Sequence, residues 1–278
     1  MADRHADGAK VRILKGKYLG RVAVVDRSRL TYYVLLEDGT PAGPYLETSV
    51  EAYVPPAPPP AAGTLLADYS ANKGMAVWPT VQFGGSFGNT KLEVIDSPVG
   101  LGKAYQATVN QIGGSPRAEG ADWRDTSLAR EGTEWFIADT LFFPTSQSWG
   151  SGSHHVVIQI GHPGQKAPQQ LIEVTGDGDL IVRNGHVTGK ADPLLVPRTE
   201  LMGRAIPLTV RVKFSQDPAK GELEAWVGDK LVVPTMRYAT LGASGTGYMK
   251  QGQYGDSNGN RVVFHGLKRG TSRGAVAG

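Results

Sequence analysis

Short runs of alternating apolar and polar residues, separated by turn-forming residues, fill most of this chain of 278 residues. A period of two is typical of strands that bury one face. The runs are EWFIADTLFFP (134–144), HHVVIQIG (154–161), QQLIEVTG (169–176), GDLIVRNG (178–185), IPLTVRVKFS (206–215), GELEAWVGDKLVV (221–233), GYMKQGQYG (247–255) and RVVFHGLKRG (261–270). No stretch shows helical periodicity, and 37 Gly and 18 Pro supply the turns. The pattern therefore predicts an all-β protein.

Three segments of different composition divide the chain. Residues 8–54 contain short apolar runs between glycine turns, which predicts a compact β unit. Residues 55–63 are rich in proline, and such linkers are stiff and extended at about 3 Å per residue. Residues 64–278 hold the runs given above. Many short strands at this spacing predict one large sandwich or jelly roll.

Composition excludes several kinds of site. The chain has no cysteine, which excludes disulfides and thiolate metal sites. The polar N-terminus MADRHADGAK predicts no signal peptide, and no run has the length of a membrane helix. A net charge of +3 does not favour nucleic-acid binding. We interpret the basic residues of 261–278 as a solvated tail.

Polar side chains share one face in each of three strand-like segments. With a period of two, these faces carry Arg117 and Glu119, then His155 and Gln159, and finally Tyr248, Lys250 and Tyr254. If the three strands are neighbours in one curved sheet, the side chains line a single groove.

The three segments resemble the carbohydrate-active jelly rolls that include alginate, glucuronan and heparin lyases. That family has an Arg-x-Glu strand, a Gln-Ile-His strand and a Tyr-Phe-Lys-x-Gly-x-Tyr strand. The chain has, in the same order, Arg117-Ala-Glu119, Gln159-Ile160-Gly161 and Tyr248-Met-Lys250-Gln-Gly252-Gln-Tyr254. The similarity spans most of residues 64–278. It implies a concanavalin-like β-jelly-roll sandwich.

The resemblance also implies a chemistry, β-elimination in a uronic-acid chain. This reaction needs a partner for the uronate carboxylate, a base for the carbon-bound proton and an acid for the leaving oxygen. Carried over, Tyr254 would be the base or the acid, and Gln159 and Arg117 would hold the carboxylate. Lys250 would attract the polyanion, and Gly252 would leave room for a sugar ring.

The chain departs from the family at the histidine. Gly161 stands in its place, and His162 points to the opposite face unless a bulge intervenes. His155 is expected to share the face of Gln159, roughly 13 Å away at strand rise. We therefore include His155 among the candidate catalytic residues. The Arg-x-Glu strand also lacks the family's second arginine.

Further candidates and their alternatives remain open at this point. Glu119, Tyr248 and Lys250 are candidate glycan contacts, and Trp149, in the loop SQSWGSGS, is a candidate sugar-stacking platform. The alternatives are that Tyr248 and Tyr254 are partly buried sandwich aromatics and that Arg117 and Glu119 form a cross-strand ion pair. No cofactor is expected. Asp177 and Asp179 in TGDGDL could bind calcium, although we favour a hairpin turn.

Residues 8–54 resemble a small barrel of the KOW or Src-homology type. Such barrels bind nucleic acid, peptides or proteins, and we favour a docking or spacer module. An anchoring barrel, a rigid arm and a glycan-type jelly roll fit a virion-surface protein of a tailed phage, on capsid or tail. This organisation predicts virion localisation after synthesis in the host cytoplasm. The alternative is an active polysaccharide lyase.

The same interpretation predicts the partners. The barrel would contact other virion proteins, and the jelly roll would bind an acidic polysaccharide or a cell-surface glycan. No membrane partner is expected. The protein would act as an oligomer or as part of a large assembly.

Overall fold

Two compact units make up the chain, Met1–Pro59 and Pro60–Gly278, and each is described by itself. The computed structural model describes residues 10–13, 22–26, 33–36, 41–42, 50–52, 63–85, 88–147, 149, 155–161, 170–183, 192–255 and 257–277. His162 therefore lies outside the described residues.

The described residues of the first unit form an antiparallel sheet. Its strands are β1 (Lys10–Ile13), β2 (Val22–Asp26), β3 (Tyr33–Leu36), β4 (Pro41–Ala42) and β5 (Val50–Ala52). They pair in the order β4-β3-β2-β1-β5. The expected β structure is present here, and closure into a KOW-type barrel stays a prediction.

The second unit is a sandwich of two antiparallel sheets. In chain order its strands are β6 (Leu65–Asp68), β7 (Thr80–Gly84), β8 (Thr90–Asp96), β9 (Lys103–Gln111), β10 (Arg117–Asp122), β11 (Ala129–Arg130), β12 (Glu134–Phe142), β13 (His155–Gly161), β14 (Gln170–Val174), β15 (Leu180–Arg183), β16 (Leu194–Val196), β17 (Ala205–Lys213), β18 (Glu222–Val227), β19 (Lys230–Arg237), β20 (Thr246–Tyr254), β21 (Ser257–Phe264) and β22 (Lys268–Gly270). The all-β prediction is confirmed.

One sheet, hereafter the site sheet, has the order β16-β15-β14-β13-β20-β10-β7, with β11 beside β20. The other, the back sheet, has the order β19-β18-β17-β12-β21-β9-β8, and β22 joins β12 to β6. The helices α1 (Arg198–Leu201) and α2 (Arg273–Val276) each span about one turn. Within the described ranges, no helix combines the length and apolar character needed to cross a membrane.

Alternation along the strands builds the core between the sheets. On β12, Trp135 and Ile137 are buried, and they lie opposite Val212 and Val210 of β17. Ile158 of β13 belongs to the same apolar cluster from the opposite sheet. Burying each such side chain stabilises the fold by about 1.5–3 kcal/mol, so the period-two pattern leaves only one favourable register.

A buried carboxyl group links the two sheets. Asp139 of β12 is buried, and its Oδ2 accepts a hydrogen bond from the side-chain amide of Gln251 on β20. Its Oδ1 accepts from the main-chain N–H groups of Thr140 (2.6 Å) and His265 (3.1 Å). Burial raises the pKa of Asp139 to about 7, and these hydrogen bonds oppose the rise.

The basic C-terminal segment is folded, so the interpretation as a solvated tail is wrong. Arg269 lies on β22 and is buried, with its guanidinium carbon 4.5 Å from the centre of the Trp135 ring. It donates to the main-chain carbonyl of Ser127 at 2.7 Å. Arg273 begins α2 and pairs with Asp229 at 2.8 Å. Strand pairing in β22 supplies contacts that local charge cannot reveal.

The buried Asp139 carboxyl predicts a pH-dependent stability. Its folded-state pKa of about 7 exceeds the unfolded value of about 3.9, so the folded chain binds the extra proton between these values. The resulting stability is complete below about pH 4 and is lost as the pH rises through 7. Asp139→Asn keeps the side chain uncharged and removes this loss.

The test is to measure the free energy of unfolding of Asp139→Asn and of wild type in urea. The variant-minus-wild-type difference is expected to increase between pH 5 and pH 8. The expected increase is on the order of 2 kcal/mol. A difference between variant and wild type that is the same at both pH values would contradict the assignment.

Candidate functional site

Strand pairing in the site sheet brings the three motif segments together, because β20 lies between β10 and β13. The facing residues are Arg117 and Tyr254, Glu119 and Gly252, Gln159 and Lys250, and Gly161 and Tyr248. Where both residues of such a pair have side chains, their Cβ atoms lie about 4.5–5.5 Å apart. The polar face is defined here as the surface formed by Arg117, Glu119, Gln159, Tyr248, Lys250 and Tyr254.

A buried carboxylate forms the floor of the polar face. The Glu119 side chain is only 1% exposed. One of its oxygens accepts a hydrogen bond from the Gln159 amide, and the other lies 4.0 Å from the Lys250 ammonium nitrogen. Burial raises the pKa of Glu119 and lowers that of Lys250, and the attraction between the two charges opposes both shifts.

Arginine and aromatic side chains form the upper layer of the polar face. The guanidinium carbon of Arg117 lies 4.6 Å from the centre of the Tyr254 ring, which is a cation–π contact. Both residues are half-buried. The salt bridge of Glu119 is with Lys250 of β20, and Arg117 contributes a weaker attraction to that carboxylate. In place of the Arg117–Glu119 ion pair that was one alternative, the structure has a buried pair of Lys250 and Glu119.

Tyr248 fills the space beside Gly161. A Cβ atom added to Gly161 would lie 2.6 Å from Cζ and 2.8 Å from the hydroxyl oxygen of Tyr248. Burial raises the pKa of the Tyr248 hydroxyl, and the Glu119 charge raises it further. The lyases that the sequence resembles have a histidine at the position of Gly161. In this chain, the phenol of Tyr248 on the neighbouring strand takes the space beside that position.

Gly252 is required by the backbone of the sheet. Its φ is +155°, and an added Cβ would lie 2.0 Å from the Ala118 carbonyl oxygen and 2.7 Å from the Cα of Glu119. The space beside this glycine is filled by β10, so it does not leave room for a sugar ring. The glycine instead allows β20 to approach β10 closely.

Two predicted site residues lie away from the polar face. A register shift between Val156 and Ile158 interrupts the alternation on β13, and His155 faces Val174 of the core. The His155 ring lies 4.6 Å from the ring of Trp149. Trp149 packs against the core, with Phe143 6.1 Å away between ring centres. Simple alternation predicted His155 on the face of Gln159, and the register shift turns it to the core instead. Trp149, predicted as a sugar-stacking platform in its loop, also packs against the core.

The structure adds two residues to the site. Trp123 is 41% exposed, and its ring stands edge-on to Tyr248 at 5.8 Å between centres. Gln82 of β7 lies opposite Glu119. The sequence does contain a signal for Trp123, because it continues the alternation from Arg117 through Glu119. The edge strand β7 carries no comparable signal.

No metal site is evident in the part of the chain that the structure describes, where no group of three or more His, Cys, Asp and Glu side chains could hold an ion. Asp177 and Asp179 lie in the turn between β14 and β15. Hydrogen bonds from Thr175 N–H to the Asp179 carbonyl (2.9 Å) and from Gly178 N–H to the Thr175 carbonyl (2.9 Å) close this turn. The Asp179 carboxylate accepts from Arg198 N–H at 2.7 Å. The geometry is that of a hairpin turn.

Comparisons with known proteins extend the description of the fold. No protein-family model and no curated protein matches the chain. Several solved structures match it in fold. An alginate lyase from Corynebacterium sp. aligns with a TM-score of 0.50 and 16% identity, covering 74% of this chain and 99% of that one. The cellulose-induced protein Cip1 aligns with a TM-score of 0.50 and 12% identity, covering 73% and 95%.

The second unit has a jelly-roll fold. At these identities the likeness concerns the fold. It agrees with the two antiparallel sheets of the second unit. Chemically, the polar face offers a guanidinium for anions, an amide for hydrogen bonding and two phenols for proton transfer.

The Lys250–Glu119 pair predicts a strong coupling in stability. Lys250→Met removes the ammonium group and leaves the buried Glu119 carboxylate without its nearest counter-charge. Breaking such a pair costs about 3–5 kcal/mol. Adding Glu119→Gln to this variant removes the stranded charge and should recover much of the loss.

The measurement is a double-mutant cycle in denaturant at pH 7. Glu119→Gln alone provides the fourth corner and keeps an acceptor for Gln159. A double variant no more stable than Lys250→Met would show that charge compensation between Lys250 and Glu119 does not stabilise the fold.

Proposed function

We propose that the Pro60–Gly278 unit binds an acidic polysaccharide on its polar face. The observation that carries the proposal is the layering of charge on the three central strands of the site sheet. The carboxylate of Glu119 is buried in the floor with Lys250, while the Arg117 guanidinium lies in the half-buried upper layer. The charge that can reach a ligand from this set is positive.

Arginine suits this role. Its planar guanidinium can donate two parallel hydrogen bonds to one carboxylate, such as that of a uronic acid. Stacking on Tyr254 fixes the plane of Arg117 and reduces the freedom lost on binding. Arg117 lies on β10, the strand beside that of Lys250. The Lys250 charge would therefore add a longer-range attraction to a uronate carboxylate bound at Arg117.

Aromatic side chains provide the apolar part of a sugar site. Trp123 and Tyr248 stand edge-on at one side of the polar face, and Trp123 keeps an exposed surface. Large amphipathic rings of this kind can cover the apolar face of a pyranose while polar groups bind its hydroxyls. The proposed ligand class also agrees with the name of one protein of similar fold, an alginate lyase.

A second candidate function is β-elimination of the bound polysaccharide. It is favoured by Arg117, Gln159 and Tyr254, which all lie on the polar face. One N–H of the Gln159 amide is engaged by Glu119, which leaves the other for a substrate. Burial favours the protonated form of Tyr248, so this residue suits the acid. Tyr254, on the same face, is the candidate base that the resemblance implies.

We retain the proposal that the whole protein is a virion-surface component of a tailed phage. Its support is the order of a small β unit, a proline-rich segment and a glycan-type jelly roll in the sequence. Mass spectrometry of purified particles tests it directly. Detection at a fixed copy number is expected, and absence from particles would refute it.

Glycan binding is tested by calorimetric titration with oligosaccharides of alginate, glucuronan, heparin and hyaluronan. We expect at least one to bind, with an affinity that falls as the salt concentration rises. Arg117→Ala should weaken binding by about 10-fold or more, because it removes a charge-assisted hydrogen bond. Trp123→Ala should weaken it through lost stacking.

The matched control is Arg204→Ala, which removes an exposed arginine that pairs with Glu200 near α1. This variant should bind as wild type does. A neutral oligosaccharide of the same length provides the ligand control. Equal weakening by both arginine variants, or no binding of any acidic oligosaccharide by folded protein, would overturn the proposal.

The same samples separate binding from elimination. Elimination creates an unsaturated uronate that absorbs in the ultraviolet, and Tyr254→Phe should abolish its formation. Binding without absorbance change assigns a binding function to the polar face. Product that persists in Tyr254→Phe would refute the role given to that residue.

A further inference from the structure

The strand β8 ends the back sheet, and among the described residues it pairs with β9 alone. Edge strands usually carry a feature that prevents pairing with another chain, such as short length, a proline or a bulge. β8 has seven residues and pairs with β9 without a register shift. It is longer than the end strands β7 and β16, and it lacks the proline and the register shifts of β19. β8 is therefore an unprotected sheet edge.

Half of the main-chain groups of β8 point away from β9. The N–H of Asn110 donates to the carbonyl of Asn89, the residue before β8, at 2.8 Å. Antiparallel pairing alternates between bonded and non-bonded residue pairs. Counted from Asn89, the odd-numbered residues of β8 bond to β9. The N–H and C=O groups of Thr90, Leu92 and Val94 therefore face the free edge, where they are available to a second strand.

Two opposite charges lie on the outer face of β8, two residues apart. Lys91 and Glu93 are both exposed, and within the described ranges neither belongs to an ion pair. Glu93 accepts a hydrogen bond from the side-chain amide of Gln106 at 3.0 Å. Leu92, between the two charges, points to the opposite face and is buried in the core. The strand thus presents one positive and one negative charge to a neighbour on the same face.

These charges select one register for pairing β8 with a second copy of itself. A two-fold axis normal to the sheet keeps each side chain on its own face of the joined sheet. With Leu92 opposite Leu92, each Lys91 lies opposite the Glu93 of the other copy, and the free main-chain groups of Thr90 meet those of Val94. An axis through Lys91 or through Glu93 would instead place like charges opposite each other, which is destabilising.

Apolar side chains lie uncovered at the same side of the sandwich. The end strand of the site sheet, β7, lies beside β8 there. Phe83 of β7 faces the buried Ala118 and so points between the sheets, yet it is 58% exposed. Val94 of β8 faces the buried Tyr105 and is 37% exposed. A second copy at this edge would remove part of this surface from water, which favours association.

We propose that the chain forms a two-fold symmetric dimer through antiparallel pairing of β8 with β8 of a second copy. The two back sheets then form one continuous sheet, centred on the Leu92 pair. Because the axis is normal to the sheet, the polar faces of both copies lie on the same side of the dimer. The dimer itself does not depend on glycan binding. One consequence does rest on the proposed function, since two polar faces that bind one polysaccharide gain avidity.

Sedimentation velocity of the full chain, from micromolar to near-millimolar concentrations, measures dimer formation. We expect a species of twice the chain mass to increase with concentration. Lys91→Glu and Glu93→Lys each place like charges opposite each other twice per dimer, and each should weaken dimerisation by about 10-fold or more. The matched control is Lys230→Glu, which makes the same charge change at an exposed position of the end strand β19 and should leave dimerisation unchanged.

Mixing the two charge variants tests the register. A heterodimer of Lys91→Glu with Glu93→Lys has opposite charges at both facing positions, so the mixture should associate far more tightly than either variant alone. Thermal midpoints close to that of wild type are expected throughout, because both side chains are exposed. A wild-type chain that stays monomeric, a mixture no tighter than its components, or a dimer equally stable in every variant would overturn the proposal.

Discussion

The close approach of β20 to β10 is the contact on which the candidate site depends. At Gly252 the two backbones are so near that a single methyl group would collide with the Ala118 carbonyl. This approach sets the register that places Glu119 beneath Gln159 and Lys250. A shift of one residue would send these side chains into the apolar core. The chemistry of the polar face therefore rests on one glycine.

Two of the buried acids in the described part of the sandwich, Glu119 and Asp139, both have partners on β20. Lys250 on its outer side compensates Glu119, and Gln251 on its inner side donates to Asp139 of the back sheet. Each carboxyl group also receives an amide hydrogen bond. Buried polar groups paired across strands in this way favour one arrangement of the strands. One side of β20 thus contributes to the polar face, and its other side forms the link between the sheets.

Sequence periodicity predicted the strands whose apolar face is regular, such as β12 and β17, and the motif order predicted that Arg117, Gln159, Lys250 and Tyr254 share a face. Periodicity did not predict the features that depend on a partner distant in the sequence. The register shift that moves His155 to the core follows from pairing with β14 and β20. The contacts of Arg269 with Ser127 and Trp135 likewise join segments far apart in the chain.

The central claim is that an acidic oligosaccharide occupies the polar face, and hydrogen exchange by mass spectrometry tests it most directly. The full chain would be compared with and without a saturating alginate oligosaccharide, or whichever acidic oligosaccharide binds. The account predicts slower exchange in peptides from β10, β13 and β20 and unchanged exchange in β17 and β18. Protection confined to the back sheet, or no protection at a saturating concentration, would contradict it.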